Sequence, residues 1–174
     1  MLQNYSRYRA LQEFFDFPSK SFQMRELSRK IKLAQPSVIK HLKALVKAGF
    51  LVKEKKGIYP TFRANRDDEI FKLYKRCNLL YRIQQGRLLE HIWDCCLPDA
   101  IVLFGSASKG EDLKESDIDL FVQSPQKKLE LVKYEKQLNR KIAIFFEENF
   151  SRLSPELKNN VLNGIVLKGY LKVF

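Results

Sequence analysis

The chain has 174 residues, 45% hydrophobic and 12% aromatic, and carries a net charge of +12. That is enough apolar material for one large or two small packed units, and too much for a disordered chain. No uninterrupted apolar stretch approaches the ~18 residues of a membrane span, the start MLQNYSRYRA lacks an apolar leader core, and Cys77, Cys95 and Cys96 have no zinc spacing. The expectation is a cytoplasmic chain with reduced thiols and no membrane contact.

The charge is unevenly placed. Residues 1–65 hold 14 Lys and Arg against 4 Asp and Glu, whereas residues 66–174 hold 18 against 16. A surplus of cation confined to the first third points to a polyanion partner, with nucleic acid first and acidic lipid second.

In chain order, Tyr8, Leu11, Phe14 and Phe15 fall at helical spacing and stop before Phe17-Pro18. A second helix is expected in FQMRELSRKIKL, with Met24, Leu27 and Ile31 on one face and Arg25, Arg29 and Lys32 off it. After the break AQPS a third helix runs to Gly49. Pro36 suits its first turn and Gly49 the residue beyond its end. At 100° per residue Val38, Leu42, Leu45 and Val46 cluster. Ser37, Lys40, Lys43, Ala44 and Lys47 lie opposite, and His41 sits on the flank. FLVKEKKGIYPTFRAN then reads as two short strands about Lys55-Lys56-Gly57, a hairpin with a basic tip.

Three helices and a basic hairpin make a winged helix-turn-helix. The segment MRELSRKIKLAQPSVIKHLKALVKAGFLVKEKKGIYPTF resembles the helix-turn-helix and wing of regulators of the ArsR/MarR type, over about residues 8–65. A helix with short polar and cationic groups on its exposed face fits a major groove, and lysines at a wing tip reach phosphates. The resemblance implies double-stranded DNA as partner and a homodimer on paired half-sites. The candidate contacts are Arg25, Arg29, Gln35, Ser37, Lys40, His41, Lys43, Lys47, Lys55 and Lys56.

Residues 67–96 contain no internal proline and only Gly86. Ile70, Leu73, Cys77 and Leu80, then Ile83, Leu88, Ile92 and Trp93, keep an apolar face. One long helix, or two broken near Gly86, is expected here. It is too apolar for a free linker and suits packing on the following domain or on a second subunit.

Ala100–Phe104 is an apolar run ending in Gly105-Ser106. Residues 117–122 alternate Asp, Ile, Asp, Leu, Phe, Val. On a strand, Asp117 and Asp119 share one face while Ile118, Leu120 and Val122 take the other. Two carboxylates about 7 Å apart on one strand face are both charged only at a cost unless a cation lies between them. Magnesium prefers such hard oxygen ligands and brings substrate phosphates with it. The turn from Gly105 to Gly110 can offer backbone N–H groups and the Ser106 hydroxyl to those phosphates.

This layout resembles the nucleotidyltransferase superfamily that includes DNA polymerase beta, and most closely its minimal group. The matching positions are Gly105, Ser106, Gly110, Ser116, Asp117, Asp119 and Leu120, within about residues 97–171. LSPELKNNVLNGIVLKGYL looks like that group's closing helix. The resemblance implies magnesium and a nucleoside triphosphate as cofactors. Asp117 and Asp119 would be metal-binding and catalytic, and Gly105, Ser106, Lys109, Gly110 and Ser116 would bind nucleotide phosphate. Active members carry a third carboxylate on a later strand. In KIAIFFE the aligned position is Ala143, with Glu147 about 13 Å further along at ~3.3 Å per residue.

The expected architecture is α+β. A winged helix occupies residues 1–65, a helical connector that can serve as a dimer element 66–96, and a small α/β nucleotidyltransferase domain with a mixed sheet 97–174. Two readings of function follow. One is a DNA-binding transcriptional regulator whose second domain binds Mg-nucleotide, antitoxin-like, with a helical partner protein. The other is an active transferase of AMP or another nucleotide to a protein or small molecule, using the winged helix for docking or autoregulation. The Ala143 position leaves catalysis open between them. A DNA-packaging role gives the glycine-serine turn no purpose.

Overall fold

A computed structural model of the chain describes residues 5–55 and 57–174. It divides into two compact units, residues 1–75 and 76–174. The expected connector is therefore shared. The unit boundary falls within α4 (Glu69–Gln85).

In the first unit, α1 (Ser6–Asp16) buries Ala10, Leu11, Phe14 and Phe15, a single stripe of helical period. Helix α2 (Met24–Ile31) buries Leu27, Ser28 and Ile31 and stops at Lys32, which adopts the left-handed conformation (φ 51°). The turn that follows is locked: the Leu33 N–H donates to the Ser28 carbonyl (3.1 Å) and the Ser28 hydroxyl to the Leu33 carbonyl (2.6 Å). Helix α3 (Gln35–Lys47) begins with proline in its first turn and buries Val38, Leu42 and Leu45. Gly49 (φ 81°) turns the chain into β2 (Leu51–Glu54), and the Asn65 side-chain amide donates to its carbonyl at 2.9 Å.

The wing strands β2 and β3 (Thr61–Ala64) pair antiparallel. A two-residue β1 (Phe22–Gln23) adds to the far side of β3, giving the order β1-β3-β2. The hairpin tip at Lys56 lies outside the described residues. Phe14 and Phe22 meet edge to face at 5.2 Å in the core, which Phe62 and Phe71 complete. Full burial of each such ring contributes about 1.5–3 kcal/mol.

The second unit is built on a four-stranded mixed sheet of order β6-β5-β4-β7. The break foreseen at Gly86 is present: Arg87 turns left-handed (φ 60°) and α5 (Leu88–Cys96) follows. Strand β4 (Ala100–Phe104) is buried throughout, as a central strand must be. It runs antiparallel to β5 (Ile118–Val122) and to β7 (Ile165–Gly169). Strand β6 (Ile142–Phe146) is parallel to β5 and is reached through α7 (Val132–Leu138), because parallel neighbours require a crossover.

The sheet has two different faces. Ile101, Leu103, Ile118, Leu120, Val122 and Ile142 pack on α5 and the C-terminal part of α4. Ala100, Val102, Phe104 and Phe121 pack on the 3-10 turn Phe150–Arg152 and on α8 (Pro155–Leu162). The segment read as one closing helix is instead α8 followed by strand β7. Gly164 makes the change of direction: a Cβ there would lie 2.6 Å from the Leu103 carbonyl oxygen, so only glycine lets the chain return against β4.

Candidate functional site

The first surface is on the helix-turn-helix. Arg25 and Arg29 on α2 are exposed, as are Gln35, Lys40, Lys43 and Lys47 on α3 and Lys55 at the wing. Pro36, Lys40, Lys43 and Lys47 form one exposed stripe of spacing four, three, four, opposite the buried Val38, Leu42 and Leu45. The Arg25 guanidinium lies over the Tyr59 ring of the wing loop, 5.4 Å from its centroid, which ties α2 to the wing. Ser37 and His41 are half-buried. His41 turns toward α1, where its Nε2 lies 2.8 Å from the Ser6 hydroxyl and 3.3 Å from that of Ser37. This places His41 inside the unit, off the lysine stripe. Burial first, then the charges of Arg7 and Lys40, hold its ring below the usual imidazole range.

The second site lies where β4 hands over to α6 (Gly105–Lys109). Antiparallel pairing sets Phe104 beside Asp119 on β5, and the parallel ladder sets Asp119 beside Ala143 on β6. All three occupy the α8 side of the sheet, near its end. Gly105 is left-handed (φ 69°), and a Cβ there would fall 2.5 Å from Asp119 Oδ2. The glycine therefore serves two needs, the positive φ and room for the carboxylate. Asp117 stands just before the strand, exposed and on the same face by alternation. Burial raises the Asp119 carboxyl above the ordinary carboxylate range, and the negative charge of Asp117 raises it further. Arg140 opposes both.

The turn is held from within. The Ser108 hydroxyl donates to the Gly105 carbonyl (2.8 Å), the Glu111 N–H to the Ser106 carbonyl (3.0 Å), and Gly110 (φ 75°) ends α6. Among the described residues nothing hydrogen-bonds the Ser106 hydroxyl, which is half-buried, and Lys109 is exposed. Ser116 has a different place. Its hydroxyl accepts from the Leu113 N–H at 2.9 Å, so it caps the approach loop.

Arg140 carries no signal in the sequence near the motif, yet it organises this loop. Its Nε donates to the Ser116 carbonyl (2.6 Å) and its Nη1 to Asp112 Oδ2 (2.7 Å), in a pair whose side chains are 9% and 5% exposed. A cation thus braces the residues that lead into Asp117.

The pair of carboxylates fits one hard cation. Two acids, one of them destabilised by the other, meet the usual protein contribution to a magnesium that keeps water and phosphate oxygens as its remaining ligands. Among the described residues no cluster of three acidic, histidine or cysteine side chains is suited to a metal. Position 143, next to Asp119, supplies only a methyl group. Glu147 accepts the Asn149 N–H at 3.0 Å and closes the turn after β6. Phe145, on the same face as Ala143, is 42% exposed and meets Phe104 edge to face at 5.5 Å.

Comparison with protein families gives two matches. The family described as "Nucleotidyltransferase domain" matches residues 87–168, and the one described as "Bacterial regulatory protein, arsR family" matches residues 20–53. The first spans the second unit from α5 to β7, and the second spans α2, α3 and the start of the wing. No curated protein and no solved structure matches the chain. Among the described residues no helix is long and apolar enough to cross a membrane.

Proposed function

Starting from a chain that joins an ArsR-family helix-turn-helix to a nucleotidyltransferase domain, we propose a cytoplasmic DNA-binding regulator whose second domain binds a magnesium-bound nucleoside triphosphate. The lysine stripe of α3 supplies the groove-facing surface. Arg25, Arg29 and Lys55 supply phosphate contacts that are independent of base sequence. A second copy of the chain would extend contact to a paired half-site.

The observation that carries the nucleotide reading is the Asp119 carboxylate seated over Gly105, with Asp117 on the same face and its own charge unfavoured. Asp117 and Asp119 would hold the metal. When bound, magnesium neutralises phosphate charge and orients the triphosphate. The Ser106 hydroxyl, the backbone of the turn and Lys109 then receive the phosphate oxygens, and Arg140 keeps the loop leading to Asp117 in place. Phe145 offers a ring face beside the acids on which a base can lie.

Efficient transfer needs a group that removes the proton of the attacking hydroxyl. The alanine beside Asp119 favours binding without rapid turnover, and so favours the regulator over the transferase. Gel shift of the full chain on its own upstream DNA, with and without ATP and magnesium, tests both halves. Retarded DNA that responds to Mg-ATP in the native chain, but not in Asp117→Asn, is the expected result. Absence of retardation at low salt would remove the DNA half. Rapid label transfer from labelled triphosphates, abolished by Asp119→Asn, would replace the regulator by the transferase.

A further inference from the structure

Lysine enters α3 only at Lys40, and the first turn before it carries no charge. Here Gln35, Pro36 and Ile39, with Met24 from the start of α2, line an open hollow of about 660 Å³. Gln35 and Pro36 are exposed. Met24 and Ile39 are half-buried: each packs on the hydrophobic core and still lines the hollow. Ile39 lies four residues from Gln35 and three from Pro36, so the three share one helix face. None of the described lining residues is charged.

An apolar hollow with one amide at its rim is chemically selective. Exposed cations stand next in sequence on both sides, Arg25 after Met24 and Lys40 after Ile39. That setting favours a polyanion over a neutral apolar protein. A DNA duplex is a polyanion whose major groove offers one apolar group, the 5-methyl of thymine. The amide has a match in the same groove, because adenine presents an acceptor at N7 and a donor at N6 to a carboxamide. Guanine suits the donors of Arg or Lys, and cytosine suits a carboxylate. The hollow holds neither.

We propose that this hollow reads an A·T step in the major groove, with the thymine methyl against Met24, Pro36 and Ile39 and the adenine edge on Gln35. The inference rests on the DNA-binding reading above and adds which bases are selected. The N-terminal residues of a recognition helix are the ones that reach base edges, and these four lie at that end. The lysines then position the helix on the phosphates, while its first turn selects the step.

Selection by the full chain from a pool of random-sequence duplexes supplies the site. Enriched half-sites are expected to share an A·T step. Uracil in place of thymine at that step removes only the 5-methyl group. It should weaken binding in a gel shift about fourfold, the scale of one buried methyl. Ile39→Ala should bind the thymine and uracil forms equally, because the surface that the methyl covers is gone. Gln35→Ala changes an exposed residue and spares the core. It should lose about tenfold at the A·T step and keep the difference between thymine and uracil. The comparison of the two duplexes by the native chain needs no variant, so it decides the matter even if Ile39→Ala unfolds. Retardation without enrichment, enriched sites without an A·T step, or equal binding of the two duplexes by the native chain would overturn this inference and leave DNA binding intact. A loss on uracil substitution that persists undiminished in Ile39→Ala would assign it to duplex shape and overturn the inference too. No retardation at low salt would remove both the inference and the DNA reading beneath it.

Discussion

Replacing Arg140 by alanine is the sharpest perturbation of the second unit. Its guanidinium and the Asp112 carboxylate are 2.7 Å apart and nearly excluded from water, at 9% and 5% exposure. Removing one member of such a pair takes this partner from the other's buried charge, at a cost of about 3–5 kcal/mol. The lost bond to the Ser116 carbonyl lies in the same network, so its contribution is included in that figure rather than added to it. Trp93 is the sole tryptophan and belongs to the second unit, so its fluorescence during urea unfolding reports that unit. With a slope of about 1–3 kcal/mol per molar urea, the midpoint should fall by more than about 1 M. The double variant Arg140→Met, Asp112→Leu removes both charges and should recover most of the loss, because well-packed apolar replacements of a buried pair are often neutral. An Arg140→Ala midpoint within about 0.3 M of the native value would place the pair in the class of exposed ion pairs, worth 1 kcal/mol or less, and refute the bracing role.

Three further outcomes follow. The folded Asp119 carboxyl sits above its unfolded value, so its contribution is fully present below the ordinary carboxylate range and is lost as pH rises through the folded value. Asp119→Asn should therefore raise the melting temperature of the second unit at pH 7, with the gain vanishing near about pH 3; identical melting at pH 7 would contradict the geometry. Ala143→Asp adds a carboxylate beside Asp119 in the parallel ladder, so without magnesium it should lower the melting temperature. With magnesium it should bind the metal about tenfold more tightly, read from metal-dependent melting, and an unchanged response would show that position 143 does not face the acids. The His41 ring is held below its ordinary value of 6.5, so its contribution is present above that pH and is lost as pH falls through the folded value. His41→Gln should flatten this acid loss in the first unit, and a steep loss that persists in the variant would assign it to other groups.

Much of this protein is legible in its sequence because the signals are local. The buried stripe of α3 and the lysines opposite it follow from a 3.6-residue period, since neighbours on one helix face are fixed by the helix itself. The shared face of Asp117 and Asp119 follows in the same way from the two-residue period of β5. Gly105 is legible as a turn residue, and Ala143 as the position where an acid is absent. Strand β1 is not legible: two residues carry no period, and Phe22 becomes a strand residue only because β3 lies beside it. Strand β7 is hidden for a related reason. Its sequence continues a helical pattern, and only the approach to the Leu103 carbonyl, open to Gly164 alone, decides otherwise.

Side-chain partners far apart in the chain were decided by tertiary structure alone. Arg140 reaches Asp112 across 28 residues, and His41 reaches Ser6 across 35. In the sequence Arg140 carries no signal, and His41 reads as a candidate DNA contact on the flank of its helix. Packing turns the first into a brace for the loop before the acidic pair and the second inward toward α1. Periodicity determines which face of an element is apolar. Which polar groups then lose their water, and must find one another, depends on how the faces meet.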